Sequence, residues 1–171
     1  MLDPQFATVR ELAAAIQRRE TTAEAVVQGC LDRIAALNPQ INATTVLAQE
    51  ALTRARSCDA DLARGISRGP LHGVPFTAKD IFATLGTTSV LDERMRRRTP
   101  PQQNATVITR LRGAGAILLG KSNAPPNGHG HDTETAYTGR TLNPYNLACT
   151  PGGSSDCWYR ARLRLMPRSR Y

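Results

Sequence analysis

The residue with the clearest chemical potential in this sequence is a lysine at the end of an apolar segment. Lys79 follows Phe76-Thr77-Ala78 and stands beside Asp80. A lysine that is partly removed from water loses some of its preference for the charged form, so it can act as a base. Only two of the 22 basic residues are lysines, and arginine cannot fill a role that needs deprotonation. An isolated lysine of this kind is more typical of a solvated or ion-paired side chain, but the scarcity of lysine in this chain adds weight to Lys79 as a base.

A second candidate is the glycine-serine segment TPGGSS at residues 150–155. Gly152 and Gly153 permit unusual backbone angles and a close approach to a ligand. Ser154 and Ser155 can act as nucleophiles or proton relays when a base is near. Taken alone, the six residues are more typical of a surface turn than of a catalytic loop.

Metal binding is the third chemistry to consider, and the sequence argues against it. The stretch His129-Gly130-His131-Asp132-x-Glu134 carries four possible ligands, but its spacing matches no standard site and its composition is that of a loop. The cysteines show no C-x-x-C spacing, which disfavours a zinc site or a disulfide framework and predicts buried or partly buried free thiols. They are Cys30, Cys58, Cys149 and Cys157.

The segment before these residues is predicted to be helical. Thr8-x-x-Glu11 and Thr21-x-x-Glu24 are capping boxes, each followed by apolar residues at helical spacing. Asn38-Pro39 is expected to end the second helix. A short strand is predicted over 41–47, and a third helix over 48–64 before Gly65.

The elements around Lys79 are predicted to form an α/β unit. Residues 76–80 are typical of a short buried strand, and residues 84–103 of a surface loop. Asn104 is placed to cap a helix that ends at Gly113 or Gly115, and residues 116–120 form a compact apolar strand. A strand, a connection, a helix and a second strand indicate parallel pairing. Lys79 is expected at the carboxyl end of a central strand.

Charge and hydropathy limit the class of protein. The net charge is +8, but half of it lies in residues 156–171, where five arginines face one aspartate. This uneven distribution argues against a nucleic-acid-binding surface. No run of 18 apolar residues and no secretory signal is present, so no membrane span is expected and the predicted location is cytoplasmic.

Three segments together, in this order, resemble the amidase signature family. They are GPLHGVPFTAKD at 69–80, ATVITRLRGAGAILLGKSN at 105–123 and TLNPYNLACTPGGSS at 141–155. The resemblance covers about residues 1–155. It implies an α/β fold around a mixed sheet, with a helical N-terminus.

The resemblance also implies a serine–serine–lysine mechanism that needs no metal or organic cofactor. Lys79 matches the family's base, and Ser154 matches the bridging serine, which the family holds in a cis-peptide arrangement. Gly152, Gly153 and Ser155 match the loop that supports it. The bridging serine relays a proton from the nucleophile to the lysine, an acyl-enzyme forms, and water releases the acid. The Lys79 amine is therefore expected near the Ser154 hydroxyl, with a small carboxylic amide as substrate.

The sequence departs from the family after Ser155. The family's nucleophile lies in a second G-G-S segment, and none follows here. The expectation is an amidase portion at 1–155 that is truncated, inactive and, through an unpaired apolar strand edge, aggregation-prone, and an aberrant, disordered basic tail at 156–171. A change of reading frame after Ser155 would account for that tail.

Two alternatives remain open at this point. A transamidase subunit of tRNA-dependent glutamine or asparagine synthesis shares the same motifs and would imply partner subunits and a tRNA. Arg96-Arg97-Arg98 would then face a partner, although a solvated loop explains them as well. A non-enzymatic fragment that binds nucleic acid or an acidic surface through its tail is the other alternative. The sequence leaves the oligomeric state open.

Overall fold

The computed structural model describes residues 7–87, 101–130 and 132–152, and within them the fold is α/β. The predicted boundary at residues 155–156 and the predicted tail lie outside this part of the chain. The elements, in chain order, are α1 (Val9–Gln17), α2 (Ala23–Ile41), β1 (Thr44–Leu47), α3 (Ala51–Ala63), β2 (Pro75–Lys79), α4 (Thr106–Gly113), β3 (Ile117–Ser122), a 3-10 turn (Pro126–Gly128), β4 (Glu134–Thr135) and β5 (Gly139–Arg140). None of the helices described combines the length and apolar character that crossing a membrane requires.

The three longer strands form one mixed sheet in the order β1-β3-β2. β1 runs antiparallel to β3, and β2 runs parallel to it. The parallel pairing and the mixed sheet are confirmed. Lys79 does end a strand, and β2 lies at the edge of the sheet formed by the described residues, so its expected central position stays a prediction. β3 is central because β1 pairs with its other side.

The core has one layer on each face of β3. Ile117 and Leu119 pack against α2 and α3, whereas Leu118 packs against Ile108 of α4. This alternation follows from the twofold period of strand side chains. β3 is buried along its whole length and is paired on both sides.

The start of α1 is confirmed as a capping box. The Thr8 hydroxyl accepts a hydrogen bond from the Glu11 amide at 3.2 Å, and the Glu11 carboxylate accepts one from the Thr8 amide at 2.7 Å. The bond from the Thr8 backbone, followed by that from its side chain, lowers the pKa of Glu11 below its ordinary value. The signal is local in sequence, which is why it could be predicted.

The start of α2 differs from the prediction by one residue. Thr22, not Thr21, is the cap, and its hydroxyl accepts from the Ala25 amide at 3.1 Å. The amides of residues 23 and 24 donate to the Asp59 carboxylate at 2.7 and 2.9 Å. A carboxylate at a helix N-terminus also interacts favourably with the helix dipole. α3 therefore supplies part of the cap of α2.

The predicted end of α2 at Asn38-Pro39 is wrong, because the helix continues to Ile41. A proline removes one backbone donor, and so close to the end of a helix little of the hydrogen-bond ladder remains to be lost. The Asn42 amide still bonds to the Asn38 carbonyl at 2.8 Å, and Asn42 ends the helix in a left-handed conformation. The Asn38 side chain then bonds both backbone groups of Thr44.

Two further helix starts differ from prediction because distant partners compete for the same groups. Asn104 does not cap α4, since its side-chain oxygen accepts from the Leu85 amide at 2.8 Å. α3 begins at Ala51 rather than 48, because the Ala48 amide donates to the Leu119 carbonyl. α3 does end before Gly65, as predicted. Of the predicted loop at 84–103, residues 88–100 lie outside the described residues.

Candidate active site

Lys79 is the last residue of β2, and its side chain is partly buried. It is the register partner of Ser122 in β3, and the next amide, that of Asp80, donates to the Ser122 carbonyl at 3.2 Å. The carboxyl end of β2 is thus fixed to the neighbouring parallel strand. This is the placement that a side chain directed into a site at the end of a sheet requires.

The 3-10 turn at 126–128 passes close to the lysine amine. A β-carbon at Gly128 would lie 4.0 Å from Lys79 Nζ and 2.9 Å from Ile81 Cγ2. Gly128 also has a φ of +73°, a left-handed value that favours glycine. Sequence reasoning missed this residue, although the Pro125-Pro126-Asn127-Gly128 pattern is a turn signal.

The glycine-serine loop begins within the described residues and continues beyond them. The Gly152 amide donates to the Thr150 hydroxyl at 3.2 Å, and Gly152 has a φ of +89°. Gly153, Ser154 and Ser155 lie outside the described residues. The proximity of Lys79 to Ser154 therefore stays a prediction.

The chain reaches this loop through a closed turn at 143–149. The Asn143 amide donates to the Cys149 carbonyl at 3.1 Å, and its side-chain oxygen accepts from the Tyr145 amide at 3.0 Å. The Asn143 side-chain nitrogen donates to the Thr150 carbonyl at 3.3 Å. The Asn-Pro-Tyr-Asn segment thus fixes the point from which the glycine-serine loop departs.

A cluster of side-chain amides and hydroxyls holds the preceding irregular stretch against the sheet. The buried Asn123 donates to the Thr141 hydroxyl at 3.0 Å and accepts from the Thr138 hydroxyl at 2.8 Å. The Thr141 hydroxyl donates to the Asn42 carbonyl at 2.7 Å, and the Asn42 side chain donates to the Thr138 carbonyl. We call Asn42, Asn123, Thr138 and Thr141 the polar cluster. It joins the end of α2 to the segment that leads into the glycine-serine loop.

Comparison with known proteins decides the family. The family model described as Amidase matches residues 25–156, a span that contains both Lys79 and Ser154. The chain belongs to the amidase family. The resemblance to amidase signature enzymes drawn from the three sequence segments is confirmed.

The chain is also similar in sequence to individual curated proteins. It is 44% identical over 149 residues to the A subunit of the glutamyl-tRNA(Gln) amidotransferase from Acidothermus cellulolyticus, covering 86% of this chain and 30% of the relative. The corresponding protein of Methylococcus capsulatus is 41% identical with the same coverage. The chain thus spans about 30% of the length of these relatives.

Among solved structures, the peptide amidase of Stenotrophomonas maltophilia superposes with a TM-score of 0.79 at 32% identity, over 91% of this chain and 34% of that one. A bacterial aryl acylamidase of the amidase signature family gives 0.81 at 27% identity, over 91% and 33%. The fold described above is therefore that of amidase signature enzymes, over about a third of their length.

Two buried side chains of the amidase motifs escaped sequence reasoning. His72 is fully buried; its Nδ1 accepts from the Arg68 amide and its Nε2 donates to the Cys58 carbonyl, both at 3.0 Å. It therefore stabilises the turn before β2. Lys121, of the Gly-Lys-Ser-Asn segment, is also fully buried and lies beside Asp80. The shortage of lysines was the one signal that could have singled it out.

The remaining candidates from the sequence are the potential metal ligands and the cysteine thiols. His129, Asp132 and Glu134 are exposed, and His131 lies outside the described residues. No group of three potential metal ligands occurs within the described part of the chain. Burial raises the pKa of the Cys58 thiol. Cys149 is exposed, which corrects the prediction of a buried or partly buried thiol, because the turn at 143–149 lies at the surface.

Proposed function

We propose that the intact protein hydrolyses the C–N bond of carboxylic amides, with Lys79 as the base and Ser154 as the bridging serine. The observation that carries the proposal is the position of Lys79, held at the carboxyl end of β2 within a chain that matches the Amidase family model from 25 to 156. The path of residues 143–152 supports it, because this segment delivers the glycine-serine loop from a fixed turn.

The proposed chemistry is a proton relay followed by acyl transfer. A nucleophilic serine hydroxyl passes its proton to Ser154, and Ser154 passes its own proton to the Lys79 amine. The serine oxygen attacks the amide carbonyl, and the relay returns a proton to the departing amine. Water then cleaves the acyl ester through the same relay. Each proton transfer takes place between two of these groups: the serine hydroxyls, water, the Lys79 amine and the substrate nitrogen.

The nucleophile would come from a second G-G-S segment, as in the family. The 171-residue sequence contains none after Ser154. We therefore expect the 171-residue polypeptide by itself to show no turnover of simple amides. Turnover that depends on Lys79 would mean that the nucleophile lies within these 171 residues.

A fusion protein tests the catalytic proposal directly. Residues 1–155 are joined to the part of the Stenotrophomonas peptide amidase that lies beyond its matching segment, and amide hydrolysis is measured. Lys79→Ala and Ser154→Ala should each lower kcat/KM by roughly 10³-fold or more, because members of a coupled triad act as one unit. Arg110→Gln, on the exposed surface of α4, is the matched control. A Lys79→Ala fusion with near-normal activity would refute the proposed role of Lys79.

A second candidate is favoured by the sequence relatives. The relatives at 44% and 41% identity are both named as the A subunit of a glutamyl-tRNA(Gln) amidotransferase. In this alternative the intact protein is a transamidase component that acts with partner subunits on an aminoacyl-tRNA. The test replaces the matching segment of the Acidothermus protein by residues 1–155. Co-purification with the partner subunits and glutamine formation on the tRNA favour the transamidase, whereas hydrolysis of free amides without partners favours the amidase.

The non-enzymatic alternative depends on residues 156–171, which lie outside the described residues. A gel-retardation assay against nucleic acid, with and without these residues and at increasing salt, tests it. Retardation that needs the tail and weakens with salt would support binding through phosphate contacts.

A further inference from the structure

The second lysine of the chain is buried next to the first. Lys121 has no exposed surface, and its Nζ faces oxygen atoms of the segment that directly follows β2. It lies 3.6 Å from the Asp80 carboxylate, 3.4 Å from the Asp80 carbonyl and 3.4 Å from the Thr84 hydroxyl, and it donates to the Phe82 carbonyl. We call residues 80–84 the clamped turn.

The oxygens around Nζ are suitable acceptors for an ammonium group. A lysine ammonium carries three N–H donors and no acceptor, and each of these neighbours of Nζ is an oxygen that can accept. The Thr84 hydroxyl is oriented for this, because it donates its own hydrogen to the Phe82 carbonyl at 3.0 Å. Asp80 is itself 3% exposed, so the two charges compensate each other inside the protein.

The clamped turn begins at the catalytic candidate. The Lys79 carbonyl accepts from the Phe82 amide at 3.0 Å, so the backbone of Lys79 is part of the first bend. The register pairs Lys79 with Ser122 and Ala78 with Lys121. Neighbours in register share a face and successive residues alternate, so the two lysine side chains project to opposite faces of the sheet. The hydrogen bonds of Lys121 thus connect it to Lys79 through the backbone of the clamped turn.

We propose that Lys121 is a positioning residue for Lys79: its ammonium group holds the clamped turn and so fixes the end of β2 from which the Lys79 amine projects. The inference rests on the proposed function of Lys79 as the base. It also accounts for both lysines in an arginine-rich chain. One is the proposed base, a role that arginine does not fill, and the other provides a compact point charge among converging oxygens, where a planar guanidinium group fits poorly.

The two lysines make a direct test possible in the 171-residue chain. The native protein is treated briefly with acetic anhydride, and acetylation at each lysine is followed by mass spectrometry. Lys121 should react only as fast as the protein opens. In Lys121→Met the clamped turn is released, and we expect acetylation of Lys79 to become at least about threefold faster, with faster hydrogen exchange at residues 80–84.

A double variant separates positioning from simple compensation of charge. Lys121→Met leaves the buried Asp80 carboxylate without the compensating charge of Lys121, whereas Asp80→Asn/Lys121→Met removes both charges and should recover most of the lost stability. If Lys121 positions Lys79 through the turn, Lys79 stays more reactive towards acetic anhydride in the double variant. The carbonyls of residues 80 and 82 and the Thr84 hydroxyl still lack the hydrogen bonds that the Lys121 ammonium donates. Return of Lys79 to its original reactivity would overturn the proposal. Arg110→Gln is the control.

Further variants keep the test decisive. If Lys121→Met alone does not fold, the double variant gives the answer, and Thr84→Val removes one acceptor from the ammonium group and should raise Lys79 reactivity by a smaller factor. In the active fusion, Lys121→Met should lower kcat about tenfold or more with KM nearly unchanged, since misplaced catalytic groups slow the chemical step. An inactive fusion would count against the proposed function, whereas the acetylation result decides the role of Lys121 independently.

Discussion

The helical region and the site-bearing segment of this protein are held together by different forces. Between α2, α3 and β3 the buried packing is apolar, with Ala, Val, Ile, Leu and Cys side chains in one cluster, and the polar contacts of Asp59 lie at the N-terminal end of α2. The stretch at 123–142 is held instead by the polar cluster, whose hydrogen bonds include those of the Thr141 hydroxyl at 2.7 and 3.0 Å. Apolar packing depends on volume and tolerates rearrangement, whereas a hydrogen bond depends on direction. The segment that leads to the glycine-serine loop is thus the more geometrically defined and the more easily broken.

The largest expected effect lies where β1 and β3 meet. A β-carbon at Gly120 would lie 2.3 Å from the Val46 carbonyl oxygen, so Gly120→Ala must separate the two strands. We expect a loss of about 3 kcal/mol in the free energy of unfolding, as for severe overpacking, measured by chemical denaturation. Gly29→Ala is the matched control, because the space around Gly29 is open and alanine favours a helix. A Gly120→Ala variant as stable as this control would mean that the strands are not so closely paired.

The next prediction contrasts the two regions directly. Val27→Ala in the apolar cluster should lower the global stability by about 2 kcal/mol through lost burial and a cavity. Asn123→Ala should cost about as much locally, because it removes the hydrogen bonds between the buried Asn123 side chain and the Thr138 and Thr141 hydroxyls. Hydrogen exchange distinguishes the two changes. Val27→Ala should accelerate exchange throughout α2 and α3, and Asn123→Ala mainly at 133–142. Uniform acceleration in both variants would show that the regions unfold as one unit.

A smaller effect concerns acid stability. Hydrogen bonds from Arg68 and then Arg64 lower the pKa of Asp61 below its ordinary value. A carboxylate with a depressed folded pKa stabilises the fold above its unfolded pKa of about 3.9, and this stability is lost as the pH falls through the folded pKa. Asp61→Asn should lower the Tm at pH 7 and reduce the loss of Tm between neutral pH and pH values below about 4. Asp32→Asn, on the exposed side of α2, is the control. Parallel Tm profiles for wild type and Asp61→Asn would contradict the prediction.

The smallest effect is expected at the first helix. Thr8→Ala removes the side-chain half of the capping box and should cost about 1 kcal/mol. Because Leu12 and Ile16 of α1 pack against Val26 and Val74, the helix stays in place and the change should appear as fraying of its first turn in hydrogen exchange. Thr8→Ser is the control, since serine keeps the hydroxyl. A loss in Thr8→Ser as large as that in Thr8→Ala would assign the effect to the methyl group.

How far the sequence predicts the structure depends on where the interaction partner lies. The Thr8–Glu11 box, the strand that ends at Lys79 and the parallel β2–β3 pair depend on near neighbours or on a long apolar run, and these predictions are confirmed. The predicted cap of α2 lies one residue too early, and the prediction that Asn104 caps α4 is wrong. In both places a residue distant in sequence takes part, because Asp59 accepts from the first amides of α2 and the Leu85 amide donates to Asn104. Lys121 shows the same limit. Its burial depends on the central position of β3, which no local pattern encodes.

The bond from Asn42 to Thr138 also has a consequence for how the chain folds. The two residues are 96 positions apart, so the loop between them must close before the bond can form, and this closure carries an entropic cost. The pair formed by α2 and α3 needs only residues up to 63. During synthesis from the N-terminus, this helical pair can assemble before residue 138 has been added. The tether to the carboxyl end of α2 can form only after residue 138 has been made. A delay in translation after α4 therefore prolongs an intermediate that lacks β3, the strand with which both β1 and β2 pair, and the approach to the glycine-serine loop.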